Sequence, residues 1–225
     1  MADGIYVAMS GAVARAEQLN AIADNLANAN TPGFKATQPA FQSFLHHPAA
    51  VATGVDLRAG SGQTTGNALH VMPEAGAFLS VMTERGPAYT RDGRLSVEDG
   101  QLLAAGKPVL DPHGVPVAVP ENAAVEIATN GQVLANGQPV GQLALFRLEG
   151  PTERLGASLY LPASGGSANP VEVSVRSGVL ESSNASALDG ALHMVSAQRH
   201  FDTAMQAIQT YRRLDERAVE VGRVR

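Results

Sequence analysis

The 225-residue sequence has no cysteine and no tryptophan, and aromatic residues make up only 4% of it. Without cysteine there are no disulfide bridges and no thiolate metal ligands. A sequence with so few aromatic side chains is poorly suited to form an enzyme pocket, because small-molecule pockets are usually lined by aromatic and apolar groups. We therefore expect no enzymatic activity, no small-molecule substrate and no cofactor.

A basic excess and long apolar runs are also lacking. The formal net charge is −5 and the pI is about 5.6, so nothing in the overall charge points to a nucleic-acid partner. No apolar run approaches the roughly 18 residues of a membrane span. The N-terminal segment has neither the basic region nor the continuous apolar core of a secretory signal, so we expect no cleaved signal peptide.

What the sequence does have is a heptad pattern at each end. Near the N-terminus apolar residues recur at alternating spacings of four and three, the seam that one helix presents to another. The pattern stops before Pro32 and Gly33, so it predicts a helix over residues 1–30. The seam positions are Ile5, Met9, Ala12, Ala16, Leu19, Ala23 and Leu26.

The C-terminal seam repeats this spacing and predicts a helix from about Ser186 to Arg217. The N-terminal helix is rich in alanine and would be marginal alone, because helical stability comes mostly from burying an apolar face. We therefore expect the two terminal helices to pair as an antiparallel coiled coil. The C-terminal seam positions are Met194, Ala197, Phe201, Ala204, Ile208, Tyr211 and Ala218.

The region between the helices has two parts. Residues 31–67 are rich in Gln, Thr, Ser, Gly and Pro and predict an extended connector with little regular structure. From 68 to 176 the period becomes two and Asx-Gly pairs appear, which predicts an antiparallel sandwich or barrel. The fold class is therefore α+β, with the β domain inserted between the two terminal helices. The C-terminal helical region covers 177–225, and residues 182–184 offer several N-cap choices for its helix. Strand candidates are 78–83, 94–97, 115–119, 125–129, 142–148, 159–161 and 171–175, with turn signals at 92–93, 99–100, 113–114, 130–131 and 136–137.

Several polar features have competing interpretations. His46 and His47 are adjacent, but no carboxylate stands at ligand spacing, so loop surface is favoured over a metal site. His193 and His200 share a helix face, where solvated flanks are favoured over a proton switch. Five arginines between 212 and 225 alternate with acids, which favours ion pairing or a solvated face over lipid or nucleic acid. The cluster of Asn25, Asn28 and Asn30 either caps the first helix or binds neighbouring molecules.

Four stretches resemble flagellar axial proteins of the rod and hook class, and they occur in family order. They are ADNLAN with NTPGFK at 23–35, YTRDG at 89–93, SGVLESSN at 177–184 and AQRHF at 197–201. Asp24 departs from the pattern, because the family often has a second Asn there. The size of the β region is most similar to proximal-rod members, with a distal-rod or hook-like subunit as the alternative.

The resemblance implies a structural subunit that assembles through its terminal helices into a helical drive shaft around an export channel. It implies localisation to the periplasm-spanning rod of the basal body, export by the flagellar export apparatus, and partners that are further copies and neighbouring rod subunits. The predicted interface consists of the two seams with Asn25, Asn28 and Phe34. The competing hypothesis is a β binding module on a coiled-coil stalk, which requires a concave site with converging polar groups within 68–176.

Overall fold

The computed structural model describes the backbone of residues 2–44 and 47–223, and the side chains of 9–38, 54–214, 216 and 217. The architecture is α+β, as predicted, with a helix near each end of the chain and antiparallel strands between them. The chain forms two compact units. The helical unit comprises Met1–Ala27, Thr37–Gly54 and Ser186–Arg225, and the β unit comprises Asn28–Ala36 and Val55–Ala185.

The helical unit is built on α1 (Ala2–Ala27) and α2 (Ala187–Arg223), which contact each other. The N-cap of α2 is Ser186, whose Oγ accepts a hydrogen bond from the Asp189 amide at 3.2 Å. The predicted cap at 182–184 lies too early, because strand structure continues to Glu181. Neither described helix combines the length and hydropathy needed to cross a membrane.

The segment expected to be an irregular connector contains two strands of the helical unit. β1 (Thr37–Phe44) and β2 (His47–Val55) form a two-stranded sheet. The prediction of little regular structure over 31–67 was therefore wrong. Its polar composition and two prolines argued against strands, because proline cannot donate a ladder hydrogen bond.

The β unit contains sixteen described strands, which pair in antiparallel fashion. The largest sheet has the order β14-β15-β6-β5-β13-β16; β7-β8-β9 and β10-β11-β12 form three-stranded sheets, and β4 pairs with β17 and β3 with β18. The strands are β3 (Gly62–Thr64), β4 (Val71–Pro73), β5 (Phe78–Thr83), β6 (Gly86–Thr90), β7 (Leu95–Glu98), β8 (Gln101–Ala104), β9 (Lys107–Pro108), β10 (Val125–Ile127), β11 (Gln132–Ala135), β12 (Gln138–Gln142), β13 (Leu145–Glu149), β14 (Thr152–Arg154), β15 (Leu159–Pro162), β16 (Ser167–Pro170), β17 (Val175–Ser177) and β18 (Val179–Glu181).

Two Asx-Gly pairs form the hairpin turns that the sequence predicts. Asp99-Gly100 joins β7 to β8 and Asn136-Gly137 joins β11 to β12, and all four residues have positive φ. Asp92-Gly93 is different, because Asp92 is buried and Gly93 has no positive φ. Three other ranges also differ from the prediction: 115–119 makes only isolated bridges, 171–174 lies between strands, and 177–181 is strand because β17 and β18 pair with β4 and β3.

The core of the β unit lies on both faces of β5. Leu79 and Val81 join the larger apolar cluster, whereas Phe78 packs in a second cluster against Tyr160, with ring centroids 5.8 Å apart. Because successive side chains of a strand point to opposite faces, one strand serves both clusters. β5 is therefore a central strand, buried on both sides.

Candidate functional site

The predicted seam of α2 coincides with its buried face. Ala197 is buried, and Met194, Phe201, Ala204 and Ile208 are half-buried; Tyr211, farther along, is 39% exposed. Gly190, in the first turn of α2, lies against Leu26 near the end of α1, since a Cβ at Gly190 would stand 3.8 Å from the Leu26 Cβ. The last turn of α1 therefore lies beside the first turn of α2.

The buried face of α1 overlaps its predicted seam only in part. Ala14, Ala21 and Ile22 are buried, whereas the seam residues Met9 and Ala23 are exposed. Because α1 contacts β1 as well as α2, it buries a wider face than a two-helix seam provides. Of the other seam positions, Ala12 is buried, Ala16, Leu19 and Leu26 are half-buried, and the side chain of Ile5 lies outside the described part.

A second apolar stripe on α2 faces solvent. Leu188, Leu192 and Val195 recur at spacings of four and three and are 72%, 63% and 50% exposed. At 3.6 residues per turn, this stripe lies almost opposite the buried seam. On α1, Met9 and Val13 are also exposed. Among the described side chains, the only large apolar group of the β unit in the same class is Val115.

Asn25 and Asn28 bind within the chain. The Asn25 amide accepts from the Thr37 backbone N–H and donates to the Thr37 carbonyl, both at 2.8 Å, so it holds the start of β1 as a strand partner would. The backbone carbonyl of Asn28 accepts a hydrogen bond from the Thr31 N–H at 3.0 Å. The Thr31 hydroxyl donates to the side-chain oxygen of Asn28 at 3.1 Å. Asn28 therefore makes the turn that ends α1, as the capping interpretation predicts. The side-chain amide of Asn25 instead binds the backbone at the start of β1.

Phe34 lies in the interior of the β unit and is fully buried. The Arg154 guanidinium stands 4.9 Å from the centre of its ring, and the next residue, Lys35, donates its backbone N–H to the Tyr160 hydroxyl at 2.7 Å. The side chain of Phe34 therefore packs inside the chain and leaves no surface for a neighbouring molecule.

Three charged side chains meet in the same interior, and all are at most 1% exposed. The Glu181 carboxylate accepts from Lys35 Nζ through one oxygen and from Arg91 through the other. Lys35 Nζ also donates to the Arg58 carbonyl at 2.7 Å, and Arg91 donates to the carbonyls of Pro73 and Ala77. We call Lys35, Arg91 and Glu181 the ion cluster. Buried charges need such pairing because the interior solvates them poorly.

The ion cluster has two cations for one carboxylate, and this imbalance sets its electrostatics. Burial opposes ionisation of Glu181, but the charges of Arg91 and Lys35 outweigh it and hold the pKa of that carboxyl below its usual value. Burial lowers the pKa of the Lys35 amine. The attraction of Glu181 only partly offsets this, and repulsion by Arg91 lowers the pKa further. Glu181 is therefore held as the carboxylate.

The segments by which the chain enters and leaves the β unit are bound to one another beside the ion cluster. The Gly33 amide donates to the Glu181 carbonyl, the Asp56 amide to the Ala36 carbonyl, and the Ser182 amide to the Ser61 carbonyl, each at 2.8 Å. The side chain of Asn184 accepts from the Ala36 amide at 2.7 Å and donates to the carbonyls of Asp56 and Arg58 at 2.8 and 3.0 Å. Residues 28–36, 55–61 and 181–184 thus form one hydrogen-bonded junction.

Gly33 is required at this junction. Its φ of +70° is in the left-handed region, and a Cβ there would collide with the backbone of Arg91 and Asp92. The sequence analysis predicted neither the junction nor the ion cluster. The available signal was that Lys35, Arg91 and Glu181 each stand inside one of the stretches that carry the family resemblance.

The other candidate sites remain separate. His193, His200, Arg212, Arg213 and Arg217 are exposed on α2. His46, Arg225 and the side chains of His47 and Arg223 lie outside the described part of the chain. Within the described residues, no group of three or more His, Asp or Glu has metal-ligand geometry. An open groove of the β unit includes Asn130, Gln142 and Glu172 in its lining. The Gln142 amide there already donates to the Asn130 carbonyl at 2.7 Å.

These features define a class of protein in which the helices near the two ends of the chain share one unit, with a β unit inserted between them. Among the described side chains, most of the large apolar groups that are exposed lie on these helices. The family model for flagella basal body rod proteins matches residues 5–35, and the model for the C-terminal region of flagellar basal body rod FlgEFG proteins matches 176–221. These two segments contain Lys35 and Glu181.

Full-length relatives agree with the family models. The sequence is 32% identical to the flagellar basal-body rod protein FlgF of Rhizobium meliloti, over 98% of both chains, and 33% identical to FlgF of Mesorhizobium japonicum, over 99% of both. It is 28% identical to the rod protein FlgG of Caulobacter vibrioides, over 92% of this chain and 95% of that one. The chain belongs to the flagellar basal-body rod protein family, which confirms the resemblance seen in its motifs.

Proposed function

We propose that this chain is a structural subunit of the flagellar basal-body rod, and that it assembles through the outward apolar faces of α1 and α2. The observation that carries the proposal is the segregation of exposed apolar residues. Among the described side chains, eight of the nine large apolar groups that are exposed lie on the two helices. Patches of this kind mark interaction surfaces, because burying them against a partner removes apolar area from water.

A helix that is apolar on two opposite faces needs two partners. In α2 the inner face is met by α1, and the pairing of the two helices as an antiparallel coiled coil is supported by the contact of Leu26 with Gly190. The stripe of Leu188, Leu192 and Val195 then receives a neighbouring copy or another rod subunit. When such contacts join different surfaces and do not close into a ring, a helical filament results.

The remaining details of the proposal follow the family. The assembled subunits form a drive shaft that transmits torque and surrounds the export channel, and the flagellar export apparatus delivers the chain. The β unit closes as a sandwich-like or barrel-like module, which is supported by the shared apolar cluster that joins the six-stranded sheet to the smaller sheets.

The test introduces one charge into the exposed stripe. Leu192→Asp places a carboxylate where the proposal buries a side chain, so rod assembly and motility are expected to be lost in a strain that depends on this chain. Val115→Asp places the same charge at an exposed large apolar side chain of the β unit, outside the stripe, and is expected to leave both intact. Normal motility with Leu192→Asp would refute the proposed interface, provided that hydrogen exchange shows the β unit folded in both variants.

A further inference from the structure

The ion cluster is held together by one carboxylate. Glu181 meets Lys35 from the segment that follows α1 and Arg91 from the end of β6, and its Oε1 also accepts from the Gly60 amide at 2.9 Å. Three separate parts of the chain thus converge on a single side chain that is fully buried. Glu181 is not part of the helix faces proposed for assembly.

No second carboxylate among the described residues replaces Glu181 in these contacts. Asp56 attracts Lys35 at longer range, but its carboxylate pairs with Arg58, at 2.5 Å, and with the Arg58 amide. Asp92, next to Arg91, directs its carboxylate to Arg94 at 2.6 Å. If Glu181 takes up a proton, the ammonium of Lys35 and the guanidinium of Arg91 remain buried and repel each other, and each loses its counter-charge.

We propose that Glu181 is an acid-sensitive latch of the β unit, whose protonation opens the junction formed by residues 28–36, 55–61 and 181–184. The junction responds because Glu181 belongs to it twice: its backbone carbonyl binds the Gly33 amide and its side chain binds the Gly60 amide. The inference stands on the β unit alone and does not depend on the proposed assembly.

The direction of the pH effect follows from the electrostatics of the cluster. The folded-state pKa of Glu181 lies below the value of the unfolded chain, so the ionised carboxylate stabilises the β unit. This contribution is fully present above the unfolded-state pKa and is lost as the pH falls through the folded-state pKa. The latch is therefore closed at neutral pH and opens below the usual range of a glutamate.

The test measures the junction directly in the full chain. Carbon-detected NMR follows the carboxyl of Glu181 from neutral pH downward, past the ordinary glutamate value of about 4.3, until its own titration step is complete. Amide protection factors, corrected for intrinsic exchange rates, are measured at Gly33 and Gly60 and, as a reference, at Ser80, whose amide donates to the Ala144 carbonyl within the core. As Glu181 titrates, protection at Gly33 and Gly60 is expected to fall relative to Ser80, by a factor of about ten for each unit by which the folded-state pKa lies below the unfolded-state pKa.

Two variants decide the cause. Glu181→Gln is expected to lower protection at Gly33 and Gly60 at neutral pH and to remove its pH dependence. Asp56→Asn removes the nearby carboxylate that pairs with an exposed arginine, and the acid response is expected to persist. The same acid response in Glu181→Gln would overturn the latch. Should that variant not fold, the wild-type titration decides: protonation of Glu181 without a loss of protection at either glycine refutes it.

Discussion

Replacing Gly33 by alanine tests whether the family signature around it serves the interior of the β unit. Two separate effects are expected at this position. The φ of +70° disfavours any residue with a Cβ, and that Cβ would collide with the backbone of Arg91 and Asp92. Gly106 provides a matched control, because it has the same φ of +70° and no atom within 4 Å of a built Cβ.

The magnitudes follow from these two geometries. An alanine in the left-handed region costs about 1–2 kcal/mol, and Gly106→Ala is expected to lose only this amount. Gly33→Ala must also displace packed backbone, at about 1–3 kcal/mol, and weaken the 2.8 Å hydrogen bond to the Glu181 carbonyl, worth about 1 kcal/mol. We therefore expect Gly33→Ala to lose about 2–4 kcal/mol more than Gly106→Ala.

The free energy of unfolding of the β unit is measured by urea titration, with hydrogen exchange of peptides from β5 and β6 as the probe. Both glycines belong to this unit, so one probe reports both variants. Equal destabilisation by the two substitutions would show that the close approach of Gly33 to Arg91 contributes nothing, and the interior role of the signature would be refuted.

Three further substitutions give distinct results. Phe78→Ala removes a buried ring packed on Tyr160 and is expected to cost the β unit about 3–5 kcal/mol by urea titration; a cost below 1 kcal/mol would contradict its place in the core. Asn25→Ala removes the two hydrogen bonds from the Asn25 side chain to the Thr37 N–H and carbonyl, and is expected to destabilise the local structure by about 1–3 kcal/mol. Hydrogen exchange at Thr37 should then be faster, while exchange in the β unit is unchanged. Phe201→Asp puts a charge into the inner face of α2 and is expected to lower helix content by circular dichroism and abolish rod assembly, whereas a helical, motile variant would contradict the pairing.

Features set by short-range geometry were predictable from the sequence. The Asp99-Gly100 and Asn136-Gly137 turns were found because positive φ at two successive residues is a local requirement. The C-terminal seam is a local spacing pattern, and its residues from Met194 to Ile208 are buried or half-buried in α2. Asp92-Gly93 carries the same local signal, yet its role is fixed by distant segments that pack against it, which no turn rule includes.

The face of α1 could not be predicted from its own periodicity. Its apolar residues are small and spread widely, so both the predicted seam and the face holding Ala14, Ala21 and Ile22 are compatible with a helix pair. Which face of α1 is buried depends on β1, because β1 also contacts α1. The polar composition of residues 31–67 did not predict this strand. Because β1 packs on α1, a strand that was not predicted also widens the buried face of the helix beyond its seam.

The ion cluster lies beyond any periodicity argument, since Lys35, Arg91 and Glu181 are far apart in the sequence and none belongs to a local charge pattern. Their joint burial nevertheless brings three of the resembling stretches together in the fold. The stretch that ends at Lys35 leads away from α1, and the stretch that contains Glu181 leads toward α2, so both helices are joined to segments that meet on one carboxylate. A change in the ion cluster is therefore expected to act on the β unit first, whereas a change in the exposed stripe acts on assembly alone. Glu181→Gln and Leu192→Asp should for this reason fail in different assays, the first in stability and the second in rod formation.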